Sequence, residues 1–205
     1  MILWRSNFEF DQGDIDNLIE NVICNYTRSP NLATSYYEND LHKRPEICFL
    51  KQYSKIVSQF MKDLGFFHRS NYSFDHWTQV YLSDTQFGHR VHDHWDACTP
   101  LSWVHFIKPA PLPCFYFLDS QGKKSWPKQD KGDFIVFPSW ALHAVVGSAD
   151  RAVVAGNVSV SMFVSPTDKN KDMEYTVSEQ GQEIGDEILT KRREVDSYID
   201  WSAFL

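Results

Sequence analysis

The sequence predicts a mainly β domain with flanking helices, and three observations carry that expectation. Short apolar, aromatic-rich segments recur from Trp77 to Val164, separated by Gly, Pro, Asp and Ser. Before them, apolar side chains fall at helical spacing. After Ser165 the chain turns polar. Several short strands at this spacing point to a sandwich, barrel or jelly roll.

Two helices are expected first. Ile15, Leu18, Ile19, Val22 and Ile23 share one face of a helix over residues 14–24. Ile47, Leu50, Tyr53, Ile56, Val57, Phe60, Met61 and Leu64 do the same over 45–64, and Gly65 is a natural stop. The strands expected next cover 77–82, 101–107, 114–118, 133–137, 143–146 and 152–164. A further short amphipathic helix is expected over 183–198. The organisation is thus a mostly helical support at 1–75, a β core at 76–165 and a polar C-terminal appendage at 166–205.

Composition narrows the function. With 205 residues, 42% hydrophobic and 23% charged, the chain suits one globular domain with or without an appendage. A formal net charge of −7 argues against a broad nucleic-acid surface or an anionic-membrane footprint. Cys24, Cys48, Cys98 and Cys114 form no C-x-x-C pair. No signal peptide or membrane-spanning run is read, so a cytoplasmic protein with free thiols is expected. Oligomeric state is not legible.

Four of the eight histidines lie between His89 and His105, densest in His92-Asp93-His94-Trp95-Asp96. In an extended strand His92, His94 and Asp96 share one face. An imidazole and a carboxylate two residues apart can bind one metal ion, and a second imidazole from a distant strand completes a facial triad with open positions. A lone His in a strand is more often an ordinary polar residue; three potential ligands on one face favour metal. Downstream, residues 132–140 (Gly-Asp-Phe-Ile-Val-Phe-Pro-Ser-Trp) lead to His143, then Arg151 and Asn157. His143 suits the distal ligand, and the fork of Arg151 suits a carboxylate.

Residues from about 81 to 164 resemble the iron(II)- and 2-oxoglutarate-dependent dioxygenases, most nearly those of bacteria and phages that are similar to prolyl hydroxylases. The Phe137-Pro138-Ser139-Trp140-x-x-His143 stretch, with Arg151 and Asn157, is the specific part. The resemblance implies a double-stranded β-helix (jelly roll, cupin-like) with helices on one side. It implies Fe(II), 2-oxoglutarate as cosubstrate and O₂, and hydroxylation of a small molecule or protein side chain with release of succinate and CO₂. Its His-x-Asp plus distal His matches His94, Asp96 and His143. An alternative register makes His92 the first ligand, with His94 in the carboxylate position. Arg151 would bind the distal carboxylate of 2-oxoglutarate. Where some relatives carry a Ser two residues later, this chain has Val153, so Ser102 and Tyr81 are the candidate helpers. Asn157 is read as structural. Trp95, Trp103, Phe106, Phe115, Phe117 and Trp140 are candidates for the pocket lining, although core is the commoner fate of each.

Rival readings stay open. His92-x-His94-x-Asp96 matches the H-x-H-x-D-H signature of metallo-β-lactamase-type zinc hydrolases except at its last position, Ala97. A cupin-type site would use His92, His94 and His143 without a need for Arg151. A non-catalytic jelly-roll binding or structural protein is the third reading.

Overall fold

The computed structural model describes residues 2–66, 70–82, 89–95, 99–147 and 150–162. Its elements are β1 (Trp4–Asn7), α1 (Gln12–Tyr26), β2 (Thr27–Ser29), β3 (Leu32–Thr34), α2 (Leu50–Asp63), β4 (Ser70–Tyr81), β5 (Leu101–Lys108), β6 (Phe115–Leu118), β7 (Lys124–Ser125), β8 (Asp133–Pro138), β9 (His143–Val145) and β10 (Arg151–Met162). The expected helix over 183–198 lies outside the described residues, as does Asp96.

Antiparallel pairing assembles a seven-stranded sheet in the order β1-β8-β5-β10-β4-β3-β2 and a three-stranded sheet in the order β7-β6-β9. The two enclose a core between them, which is the double-stranded β-helix. The large sheet is buried on both faces, and period-2 alternation sorts its side chains. Phe74, Val80, Leu101, Trp103, Phe134, Val136, Val154 and Val158 face Ile15, Leu18 and Val22 of α1 and Tyr53, Val57, Phe60 and Met61 of α2. Their neighbours Trp77, Tyr81, Val104, Phe106, Ile135, Phe137, Val153 and Ala155 face the small sheet, meeting Phe115, Phe117 and Val145. Because both faces are apolar, the strands read as nearly continuous hydrophobic runs. The one-residue offset still decides which side chains see the pocket.

The helices form where expected, with two local differences. Asp11 caps α1 by accepting a hydrogen bond from Gly13 N. Residues Pro45–Phe49 form a tighter 3₁₀ turn before α2 starts at Leu50, in keeping with Pro at a helix start. The first third also supplies three short strands at the two edges of the large sheet. These are too short to show a clear alternation. β1 is tied to β8 by Asp133, which accepts from Arg5 Nη2 at 2.8 Å and Asn7 Nδ2 at 3.2 Å.

Gly156 marks a close approach between β10 and β5. A Cβ there would lie 2.4 Å from the Trp103 ring and 2.4 Å from the Asp75 carbonyl oxygen, so only glycine admits the indole. Among the described residues no helix is long and apolar enough to cross a membrane.

Candidate metal centre

Three histidines converge between the sheets. His143 begins β9, and its backbone pairs with His92, each N–H donating to the other's carbonyl at 3.0 Å. Beyond His92 the chain does not continue as a strand, contrary to the extended-strand expectation. The His94 amide instead donates to Ser139 O at 2.8 Å, so the segment passes from β9 to the turn that follows β8. His92 and His94 nonetheless project the same way, while Asp93 and Trp95 are exposed. One ligand atom from each of His92, His94 and His143 lies within 4.8 Å of the others.

Hydrogen bonds fix all three rings in one tautomer. His92 Nδ1 meets the Arg90 carbonyl at 2.7 Å, and His143 Nδ1 meets the Ala141 carbonyl at 2.8 Å. Carbonyls only accept, so each Nδ1 carries the proton. His94 Nδ1 donates in the same way to Asn157 Oδ1 at 2.9 Å. Each ring therefore presents an Nε2 lone pair, the arrangement typical of a ligating imidazole whose second nitrogen is held by an acceptor. Burial lowers the basicity of His94 and pushes His143 down to about 3, which keeps these rings in the neutral form that binds metal.

The Asn157 contact gives this residue a definite place. Its Oδ1 accepts from both His94 Nδ1 and Ser102 Oγ (2.8 Å), and Ser102 Oγ lies 2.9 Å from Ser139 Oγ. Ser102 is directly across from Asn157 in the β10–β5 register. It is therefore engaged behind His94 and is absent from the pocket wall, whereas Tyr81 and Arg151 come together.

Arg151 opens β10 opposite Tyr81, beside a register shift against β5. Its side chain is 2% exposed. The guanidinium carbon sits 4.4 Å over the Tyr81 ring. Among the described residues Nη1 is buried with no hydrogen-bond partner. A buried cation with an unspent donor is costly unless something anionic meets it. Burial also holds the Tyr81 phenol above its ordinary range, although Arg151 opposes this, so the phenol stays protonated.

These groups line one cavity of about 510 Å³, within the range of small-molecule sites. The His92, His94 and His143 cluster shares this cavity with Arg151 and Tyr81. Of the six aromatic candidates, Trp95 and Phe115 line it. Trp103, Phe106 and Phe117 are core, and Trp140 is largely exposed. Sequence reasoning missed Trp77, Gln79, Tyr36, Tyr37 and His89 as lining residues. Trp77, Gln79 and Tyr81 alternate along β4, so the period-2 rule applied outward from Tyr81 finds the first two. Tyr36 and Tyr37 follow β3 in a turn that carries no such signal.

No protein-family model and no curated protein matches the chain. Solved structures do match in fold. The viral collagen prolyl hydroxylase of Paramecium Bursaria Chlorella virus-1, in its 2-oxoglutarate complex, superposes with a TM-score of 0.52 at 16% identity, covering 76% of this chain and 95% of that one. The Trichoplax adhaerens prolyl hydroxylase, bound to a hypoxia inducible factor peptide fragment, gives 0.54 at 11% identity over 76% and 83%. The non-heme alpha ketoglutarate dependent epimerase SnoN from nogalamycin biosynthesis gives 0.52 at 10% identity over 75% and 76%. The chain therefore has the jelly-roll fold found in 2-oxoglutarate-dependent oxygenases. That fold removes the ground for the metallo-β-lactamase reading, which rested on an incomplete linear signature.

Proposed function

We propose that this protein is a non-haem iron(II) enzyme that uses 2-oxoglutarate and O₂ to oxidise, and most simply hydroxylate, an organic substrate. One observation carries the reading. Three imidazoles with free Nε2 atoms and a buried arginine with an unspent donor share a single cavity. A three-histidine metal protein without this cosubstrate has no need of the arginine. The solved neighbours, two prolyl hydroxylases and an α-ketoglutarate-dependent epimerase, support the cosubstrate while leaving the substrate and the final step open.

In this reading His92, His94 and His143 hold the metal through Nε2, with His94 where a facial triad has its carboxylate. Asp96 lies outside the described residues and belongs to the other register. Bound there, iron(II) together with 2-oxoglutarate would supply O₂ activation and oxidation of the substrate. The protein's own residues do the rest. The carbonyls of Arg90 and Ala141 and the Asn157 amide hold the rings in orientation. Arg151 receives the distal carboxylate. Phe115, Val104, Val145 and Val153 add apolar lining to the cavity, and a low-polarity surround strengthens an ion pair. The substrate is then a small molecule or a protein side chain reaching in past Tyr36, Tyr37 and Trp95.

The test is anaerobic titration of the apoprotein with Fe(II) and then 2-oxoglutarate, followed by visible absorption. A charge-transfer band saturating near one equivalent and fading in air is expected. Arg151→Ala should keep metal affinity and weaken 2-oxoglutarate by about a hundredfold, since it deletes a charged, buried donor. Tight zinc binding without any band, or no metal binding, would overturn the proposal.

A further inference from the structure

The Arg151 end of the cavity holds a second donor whose direction is already set. A phenol has one O–H to give, and Tyr81 gives it to Gln79 Oε1 at 3.1 Å. Tyr81 therefore has no proton left for a ligand. The same bond turns the Gln79 amide so that Oε1 faces Tyr81 and the two Nε2 hydrogens face elsewhere. Gln79 is half-buried, lines the cavity, and makes no other hydrogen bond among the described residues. Its cross-strand neighbours leave it unopposed. Val153 of β10 is apolar, and the side-chain oxygen of Thr34 of β3 accepts from the Tyr36 amide and makes no hydrogen bond with Gln79.

Tyr81 joins this amide to the cation physically, with its ring beneath the Arg151 guanidinium and its oxygen on Gln79. A carboxylate offers about four lone-pair sites, more than one guanidinium edge uses. An amide donor adds hydrogen bonds without adding charge, so one cation still faces one anion. We infer that Gln79, aimed by Tyr81, is the second donor to the distal carboxylate of the cosubstrate. It thereby makes the site selective for a 2-oxo dicarboxylate over a 2-oxo monocarboxylate. This rests on the function proposed above.

The experiment is anaerobic calorimetry on the Mn(II)-loaded full chain, with 2-oxoglutarate and with 2-oxobutyrate, which lacks the distal carboxylate. Gln79→Leu should weaken 2-oxoglutarate about tenfold and leave 2-oxobutyrate and Mn(II) affinity unchanged. Gln79→Glu should weaken 2-oxoglutarate further by repulsion. Tyr81→Phe should produce a smaller loss in the same direction, because it only frees the amide to turn. Unchanged 2-oxoglutarate affinity in Gln79→Leu overturns the inference. So does an equal loss for both ligands, which would mean a change of pocket shape. If Arg151→Ala also binds 2-oxoglutarate normally, the function proposal itself fails; if only that variant loses affinity, Gln79 alone is misassigned.

Discussion

The helix-covered side of the seven-stranded sheet and the cavity on its other side use the same residue type in opposite ways. On the helix-covered face, His105 spends both ring nitrogens: Nδ1 accepts from Tyr53 Oη at 3.0 Å and Nε2–H donates to the Phe8 carbonyl at 3.0 Å. Its ring is stacked 4.2 Å from Phe8. Nearby, Glu46 is fully buried and bonded by Ser35 Oγ at 2.7 Å and Thr78 Oγ1 at 2.9 Å. On the cavity face, His92, His94 and His143 each spend one nitrogen and keep the other, and Arg151 keeps a donor. Burial alone therefore does not single out these three histidines; the convergence of their unspent nitrogens on one cavity does. One face uses its polar groups to finish a core, and the other holds them ready for a ligand.

Exchanging the two kinds of histidine should break the comparison most visibly. His143→Ala is expected to abolish iron binding while the protein stays folded, as read by equilibrium dialysis alongside circular dichroism. His105→Ala should do the reverse: metal affinity kept, and stability lowered by about 2–4 kcal/mol in urea unfolding, because it leaves a cavity and two stranded partners. A folded His105→Ala protein with weakened metal binding would mean that the faces are coupled.

Acid should act on the helix-covered face in a definite direction. Burial pushes both His76 and His105 down to about 4, against 6.5 for the free side chain. Between those values the unfolded chain binds more protons than the folded one. Their contribution is thus fully present above pH 6.5 and is lost as pH falls toward 4. Each accounts for a loss on the order of 3 kcal/mol across that window. Urea midpoints of the apoprotein from pH 7 to 5 should fall accordingly. A flat profile would contradict the assigned protonation states.

The smallest expected effect sharpens the picture of the ring supports. Asn157→Leu removes the acceptor of His94 Nδ1 and should cost about tenfold in iron affinity, measured by competition with a chelator. Unchanged affinity would return Asn157 to a purely structural place.

Much of this was legible in the sequence, for physical reasons that differ by element. The strands around Trp103, Phe134 and Val154 are long, apolar and bounded by Gly, Pro or Asp, so their existence is plain. The edge strands β1, β2 and β3 have three or four residues each, too few to show a period. His143 and Arg151 stood out because each lies at the start of a strand beside a turn. The choice between His92 and His94 as first ligand did not, since it depends on where the chain leaves the small sheet. There the His94 amide leaves the strand pairing and donates to the Ser139 carbonyl. Gln79 escaped notice because a glutamine in a strand has no signature until its partner Tyr81 is placed beside it.

The register of the ligands is therefore the point to measure. In the Co(II)-substituted protein each imidazole bound through Nε2 retains an exchangeable Nδ1–H, which paramagnetic proton NMR resolves far outside the ordinary spectrum. Three such exchangeable resonances are expected, one each from His92, His94 and His143, with one lost in His92→Ala. Only two such resonances in the unsubstituted protein, both retained in His92→Ala, would contradict the three-imidazole centre and favour His94, Asp96 and His143 as the ligands instead.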